Sequence, residues 1–178
     1  MLKFRKLSIT DKAWAEPFIR AEDSRSADYN FGNIYMWDGA YRQHLASVEG
    51  RLLTKLRYED MPFFAFPIGS GSIKPSIDAL TEFAAFRGYP LAIRGVTEAH
   101  RALLEAAYPG RFEFTEDRDC FDYVYSAEKL STFSGKKLHG KRNFCNRFEK
   151  EHSWEFRRLT PQLMPWCMGM LGEWQSSY

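Results

Sequence analysis

Apolar residues recur along the chain in two alternating rhythms, and these divide it into elements. Leu2, Phe4, Leu7 and Ile9 alternate with polar neighbours, which predicts a first strand over Leu2–Ile9. Thr10-Asp11 is a helix start. Trp14, Phe18 and Ile19 follow at the spacing of a buried helical face, with Pro17 as a possible kink. Asp23–Asn30 is polar and turn-like. Phe31–Tyr41 fits either period, and the helix is preferred, capped by Asp28 or Asn30. His44–Val48, Arg51–Tyr58 and Phe63–Pro67 then read as three strands of an antiparallel meander. Glu49-Gly50 forms its first turn, and Glu59-Asp60-Met61-Pro62 its second.

Further along, Ile77, Leu80, Phe83 and Ala84 mark the inner stripe of a helix over Ser76–Arg87, ended by Gly88-Tyr89-Pro90. A strand at Leu91–Arg94 follows, then a helix over Thr97–Ala107 with Leu103, Leu104 and Ala107 inward. Phe112 and Phe114 begin another strand region, and Phe121–Tyr125 forms one more strand. Past residue 152, Trp154, Phe156 and Arg158 alternate as a strand. Thr160-Pro161 opens a last helix whose apolar residues run from Leu163 to Trp174 on several sides. Such a helix requires burial on other protein: the preceding domain, another subunit or a missing half. A second copy of the chain is thus one expected partner.

Composition adds bounds. At 178 residues, 44% apolar and 27% charged, the chain is that of a globular domain with a substantial core. Cys120, Cys145 and Cys167 are too scattered for a disulfide framework or a zinc site, and they fit a reducing cytoplasm. The start MLKFRKLSIT has no signal-peptide core, and no stretch is apolar enough to span a membrane. The expectation is a cytoplasmic protein.

Charge is where the chain departs from the ordinary. Between Lys136 and Arg158 stand eight cations and three acids, a local balance of +5 in a chain of net charge +2. Concentrated charge of one sign makes a field that attracts anions. Read as a helix from Leu138, this stretch has Leu138, Phe144, Cys145, Phe148 and His152 on one side. Arg142, Asn143, Asn146, Arg147 and Lys150 fall on the other. Lys137 and Lys141 lie on the apolar side. Either their stems cover apolar surface while the ammonium groups reach water, or both point into a cleft and meet an acidic ligand such as a phosphate or a nucleic-acid backbone.

Weaker candidates lie elsewhere. Asn33, Tyr35 and Trp37 either line a pocket or belong to the core. Asp122, beside Tyr123, is a possible base or the partner of Arg118 in an ion pair. Gly69-Ser70-Gly71-Ser72 opens a helix as phosphate-holding loops do, but fits no nucleotide-binding fingerprint, so a plain connector is the default. No catalytic triad spacing and no metal-ligand cluster is legible, and no metal is called for.

The run Asp122-Tyr123-Val124-Tyr125, then Leu130, Ser134-Gly135-Lys136-Lys137-Leu138-His139, Lys141-Arg142-Asn143 and Asn146-Arg147-Phe148 resembles a bacterial family, that of the C-terminal domain of phosphatidylglycerol lysyltransferase. Phe31-Gly32-Asn33-Ile34-Tyr35-Met36-Trp37 and Phe66-Pro67-Ile68-Gly69 are similar to two further patterns of that family, in the same order. The resemblance implies an α+β, N-acetyltransferase-like fold with a mixed, mainly antiparallel sheet, used in tandem. Residues 1–126 would form a first acyltransferase-like domain, and residues 127–178 the basic helix, strand and helix that open an incomplete second one. It also implies transfer of an aminoacyl group from a charged tRNA to a lipid or other acceptor, with peripheral attachment at the inner membrane face as an alternative location. Lys137, Lys141, Arg142 and Arg147, with Asn143 and Asn146, would hold the tRNA or lipid phosphate. Two alternatives stand beside this: a polyanion-binding module without turnover, and a coenzyme-A-dependent acyltransferase. The latter is weakened because the Arg/Gln-x-x-Gly-x-Gly/Ala loop that holds the coenzyme's pyrophosphate is absent. No cofactor beyond the acyl donor is required.

Overall fold

The computed structural model describes residues 2–59 and 61–177. It divides into two compact units, Met1–Asp122 and Tyr123–Tyr178.

The first unit is α+β. Strands β1 (Arg5–Lys6), β2 (His44–Val48), β3 (Arg51–Tyr58), β4 (Met61–Ala65), β5 (Ile68–Gly69) and β6 (Ile93–Arg94) form one sheet. Its order is β1-β2-β3-β4-β6, with β5 pairing to β3. Every ladder is antiparallel except β4 with β6. Helices α1 (Lys12–Glu22), α2 (Phe31–Met36), α3 (Asp38–Tyr41), α4 (Ile73–Arg87) and α5 (Glu98–Ala107) flank it.

The alternation of β3 divides the interior in two, because successive side chains leave opposite faces of a sheet. Leu52 packs with Leu7, Ala15, Phe31, Ile34, Leu45 and Ile68 in one cluster. Its neighbour Leu53 packs with Ala46, Phe64, Leu80, Phe83 and Ala84 in another. The register Ala46↔Leu53 and Ser47↔Leu52 keeps each pair on one face. A third cluster joins Phe66, Ile73, Ile77, Leu104 and Tyr108 at the α4–α5 side. The α4 stripe is the expected one. The helix begins earlier than Ser76, however, at Ile73, so that Pro75 falls in its first turn, where no backbone donor is needed. Gly88, with φ of 77°, ends it.

Several expectations are corrected. The first strand covers only Arg5–Lys6. Ser8 and Asp11 close a capping box there, and Ile9 is exposed in the resulting 3-10 turn. Asn30, not Asp28, caps α2. Leu103 faces outward at 46% exposure, while Leu104 is buried. Phe112 and Phe114 pack against the third cluster without forming a strand. Phe121–Tyr125 and Trp154–Arg158 also run without strand pairing. The last helix starts at Met164 with Pro165 in its first turn, rather than at Thr160-Pro161. Alternation alone does not make a strand where no neighbouring strand offers hydrogen bonds.

The second unit comprises α6 (Ala127–Thr132), α7 (His139–Glu151) and α8 (Met164–Ser176), with a 3-10 turn at Lys136–Leu138. None of its described residues is buried; Phe133, Leu138, Arg142 and Leu163 are half-buried. Ordering backbone costs about 1–2 kcal/mol per residue, and burial is what normally offsets it. Amide hydrogen exchange should therefore be protected across β2–β4 and α4, and fast through α6, α7 and α8. Equal protection of the two units, read by mass spectrometry, would contradict this description.

Candidate functional site

The basic segment is set up by local geometry. Ser126 caps α6 by accepting from the Lys129 amide, and Phe133 leaves that helix in the left-handed conformation. Gly135, with φ of 93°, opens the 3-10 turn. Arg142 Nη1 then donates to the Phe133 carbonyl at 2.6 Å, tying α7 back to this turn. Arg142 is thus committed to a structural bond.

Lys137 and Lys141 are exposed, and neither makes an ion pair with any described residue. They stand with Arg142 around the first turn of α7, which holds no acid. The helix macrodipole already places partial positive charge there, so these cations are mutually unfavourable until an anion arrives. Arg157 is neutralised by Glu155 at 2.5 Å, whereas Lys136, Lys150 and Arg158 are exposed and unpaired among the described residues. Asn143 lies 3.5 Å from His139 Nδ1, and Asn146 is exposed.

Arg147 departs from the helical-wheel expectation. Its guanidinium lies 5.3 Å from the Phe144 ring centre, on the apolar side. There Phe144, Arg147 and Phe148 line an open groove with Trp154, Glu149 and Glu151. Phe148 sits 4.9 Å from His152 and 6.2 Å from Trp154 between ring centres.

The residues proposed for a second pocket do not converge. Tyr35 stacks on Phe31 and lines a shallow cleft with Lys6, Ser8, Met36 and Asp38. Asn33 instead donates to Asp28 Oδ1 at 3.3 Å, and Trp37 packs on Tyr41; neither lines that cleft. Asp122, the last residue of the first unit, is exposed, and no ion pair joins it to Arg118. Arg118 lies over the Phe121 ring at 4.9 Å instead, so the expected pair is replaced by a cation–aromatic contact. Tyr123 opens the second unit, 85% exposed and stacked with Tyr125.

A largely buried polar cluster in the first unit, with Arg51 and His100 buried and Glu22 half-buried, was not legible in the sequence. Glu22 Oε1 accepts from His100 Nε2 at 2.7 Å, and Oε2 accepts from the Gly69 amide at 3.0 Å. Arg51 Nη1 is 3.9 Å from the same carboxylate, and donates to the Pro67 carbonyl at 2.7 Å. Arg51 Nε donates to the Gly71 carbonyl at 2.6 Å. His100 Nδ1 receives the Thr97 amide at 3.5 Å, which leaves Nε2 as the protonated nitrogen. Phe66 stacks flat on the imidazole at 3.8 Å. Burial lowers the Arg51 pKa against the opposing pull of Glu22. Burial, then Glu22 and Asp28, pushes the Tyr29 phenol up. The readable part was Thr97-x-x-His100, a capping box; its partner Glu22 lies 78 residues away.

This cluster also decides the Gly/Ser loop. A Cβ at Gly71 would lie 1.7 Å from the Glu49 carbonyl oxygen, and one at Gly69 2.2 Å from that of Gly50. The glycines let the loop press against the β2–β3 turn, and the Gly69 amide is used by Glu22. The loop is a packed connector. Glu22→Ala would leave Arg51 buried with its carboxylate gone, and should cost about 3 kcal/mol in denaturant unfolding of the first unit. Gly71→Ala should cost more than about 1 kcal/mol. Wild-type stability in either variant would refute the assigned roles.

The family model described as phosphatidylglycerol lysyltransferase, C-terminal, matches residues 20–177. A crystal structure of a conserved protein of unknown function from Bacteroides thetaiotaomicron VPI-5482 is similar at 31% identity and a TM-score of 0.85. The match covers 99% of this chain and 60% of that one. No curated protein matches. The chain belongs to the phosphatidylglycerol lysyltransferase C-terminal family.

Proposed function

From that membership we propose that the chain is part of an N-acetyltransferase-like aminoacyltransferase whose donor is an aminoacyl-tRNA and whose acceptor is a lipid headgroup or another hydroxyl or amine. The cations around the start of α7 engage the donor's phosphates. The observation that carries this reading is the exposed Lys137–Lys141 pair, without acid partners among the described residues and added to the positive end of a helix. Arg142 shapes the turn, and Arg147 extends the positive surface toward the aromatic groove. The transfer itself needs little from the protein beyond orientation. The aminoacyl ester is already activated, and holding the acceptor against its carbonyl removes most of the entropic cost.

A polyanion-binding module without turnover would use the same cations, and a coenzyme-A acyltransferase would not need them. Among the described residues no helix is long and apolar enough to cross a membrane, so a lipid acceptor would be met at a surface.

Binding of tRNA across a salt series tests the proposal. Affinity should fall steeply with salt. Lys137→Glu/Lys141→Glu should weaken binding more than about tenfold at low salt and reduce the log–log slope by about 1.4–1.8. Transfer of a labelled amino acid from the bound tRNA separates the enzyme from the module. Salt-independent binding, unchanged in the variant, would sink the polyanion site.

A further inference from the structure

Along one side of α7 the chemistry changes in order, from cation to aromatic to acid. Lys141 is followed by Phe144 and Arg147, then Phe148, and then Glu151 with Trp154 just beyond the helix. Phe148 lies seven positions past Lys141, about 10 Å along the helix. The rings are open to solvent: Phe144 is 60% exposed, Phe148 48% and Trp154 54%. Phe148 and Trp154 stand 6.2 Å apart and tilted by 49°, and the Arg147 guanidinium covers the Phe144 ring.

We propose that this groove takes the unpaired bases of a single-stranded RNA segment whose phosphates lie on the cations at the start of α7. The inference rests on the polyanion reading above and assigns its partner a particular form. A phosphate alone would not choose the groove, because Glu149 and Glu151 line it and repel anions. A neutral, flat, aromatic group meets no such penalty, and its exocyclic amines find carboxylates to donate to. Stacking on Phe, Trp and Arg planes is the general means by which proteins hold unpaired bases beside a basic track. A duplex, whose bases are stacked on one another, has nothing to place there.

The test compares three probes on the full chain by equilibrium binding. They are a single-stranded RNA about eight nucleotides long, an abasic ribose-phosphate strand of equal length, and an RNA duplex. The single strand should bind about tenfold more tightly than the abasic strand. Phe148→Ala/Trp154→Ala should abolish that difference while leaving abasic binding and the salt slope unchanged. Both positions are exposed, and circular dichroism would verify that the variant keeps its helices. Equal affinity of the single strand for parent and variant, of abasic and natural strands for the parent, or of duplex and single strand would overturn the stacking groove. If Lys137→Glu/Lys141→Glu still weakened every probe, the polyanion site would survive that result. Failure of all three probes to bind would remove both.

Discussion

The Glu22 carboxylate holds together segments that are remote in sequence: the end of α1, the start of β3, the Gly69 loop and the first turn of α5. Each of its oxygens is used. One takes the His100 imidazole, and the other takes a backbone amide beside Arg51. A buried charge is tolerated only when paired and hydrogen-bonded, so this geometry admits little variation. It explains why the glycines at 69 and 71 lie against the β2–β3 turn, since Arg51 must reach the Gly71 carbonyl across that contact. It also explains why His100 is an inward-facing cap rather than a solvent-facing histidine. Around this cluster the two faces of β3 build their separate cores.

The second unit follows a different logic. Among the described residues it has no buried cluster, its cations are concentrated at one helix start, and most of its aromatic residues are open. Helices of this length are marginal when packing does not support them. Arg142, bonded to the Phe133 carbonyl, supplies one of the few tertiary restraints on α7. A surface of this kind is suited to a ligand that brings its own charge and its own apolar faces.

Much of the first unit was legible. The β2–β3 hairpin and the α4 stripe follow from periodicity, because each has one buried face and a clear turn or cap at its end. The next strand was also legible, but β4 begins at Met61, inside the expected turn, and Phe31–Tyr41 fitted either period until the fold made Phe31–Met36 a helix. The errors share a cause. Phe121–Tyr125 and Trp154–Arg158 alternate like strands but have no partner strand, and a strand is defined by its neighbour. Leu103 and Leu104 are adjacent on α5, and only the position of α4 beside it decides that Leu104 is the buried one. In the candidate site, the run of cations was legible as charge density. That Arg142 is spent on a turn, and that Arg147 lies over Phe144, depended on side-chain geometry.

The sequence by itself determined the family, the α+β class and the concentration of positive charge near residue 140, because these reside in composition, local spacing and motif order. Tertiary structure alone decided which charges are available. Glu22, Arg51 and His100 lie dispersed along the chain and become one largely buried cluster only when α1, β3 and α5 meet. Lys137 and Lys141 remain unpaired because, among the described residues, no acid is brought to them. Pairing in space depends on the fold, and a linear pattern does not encode it.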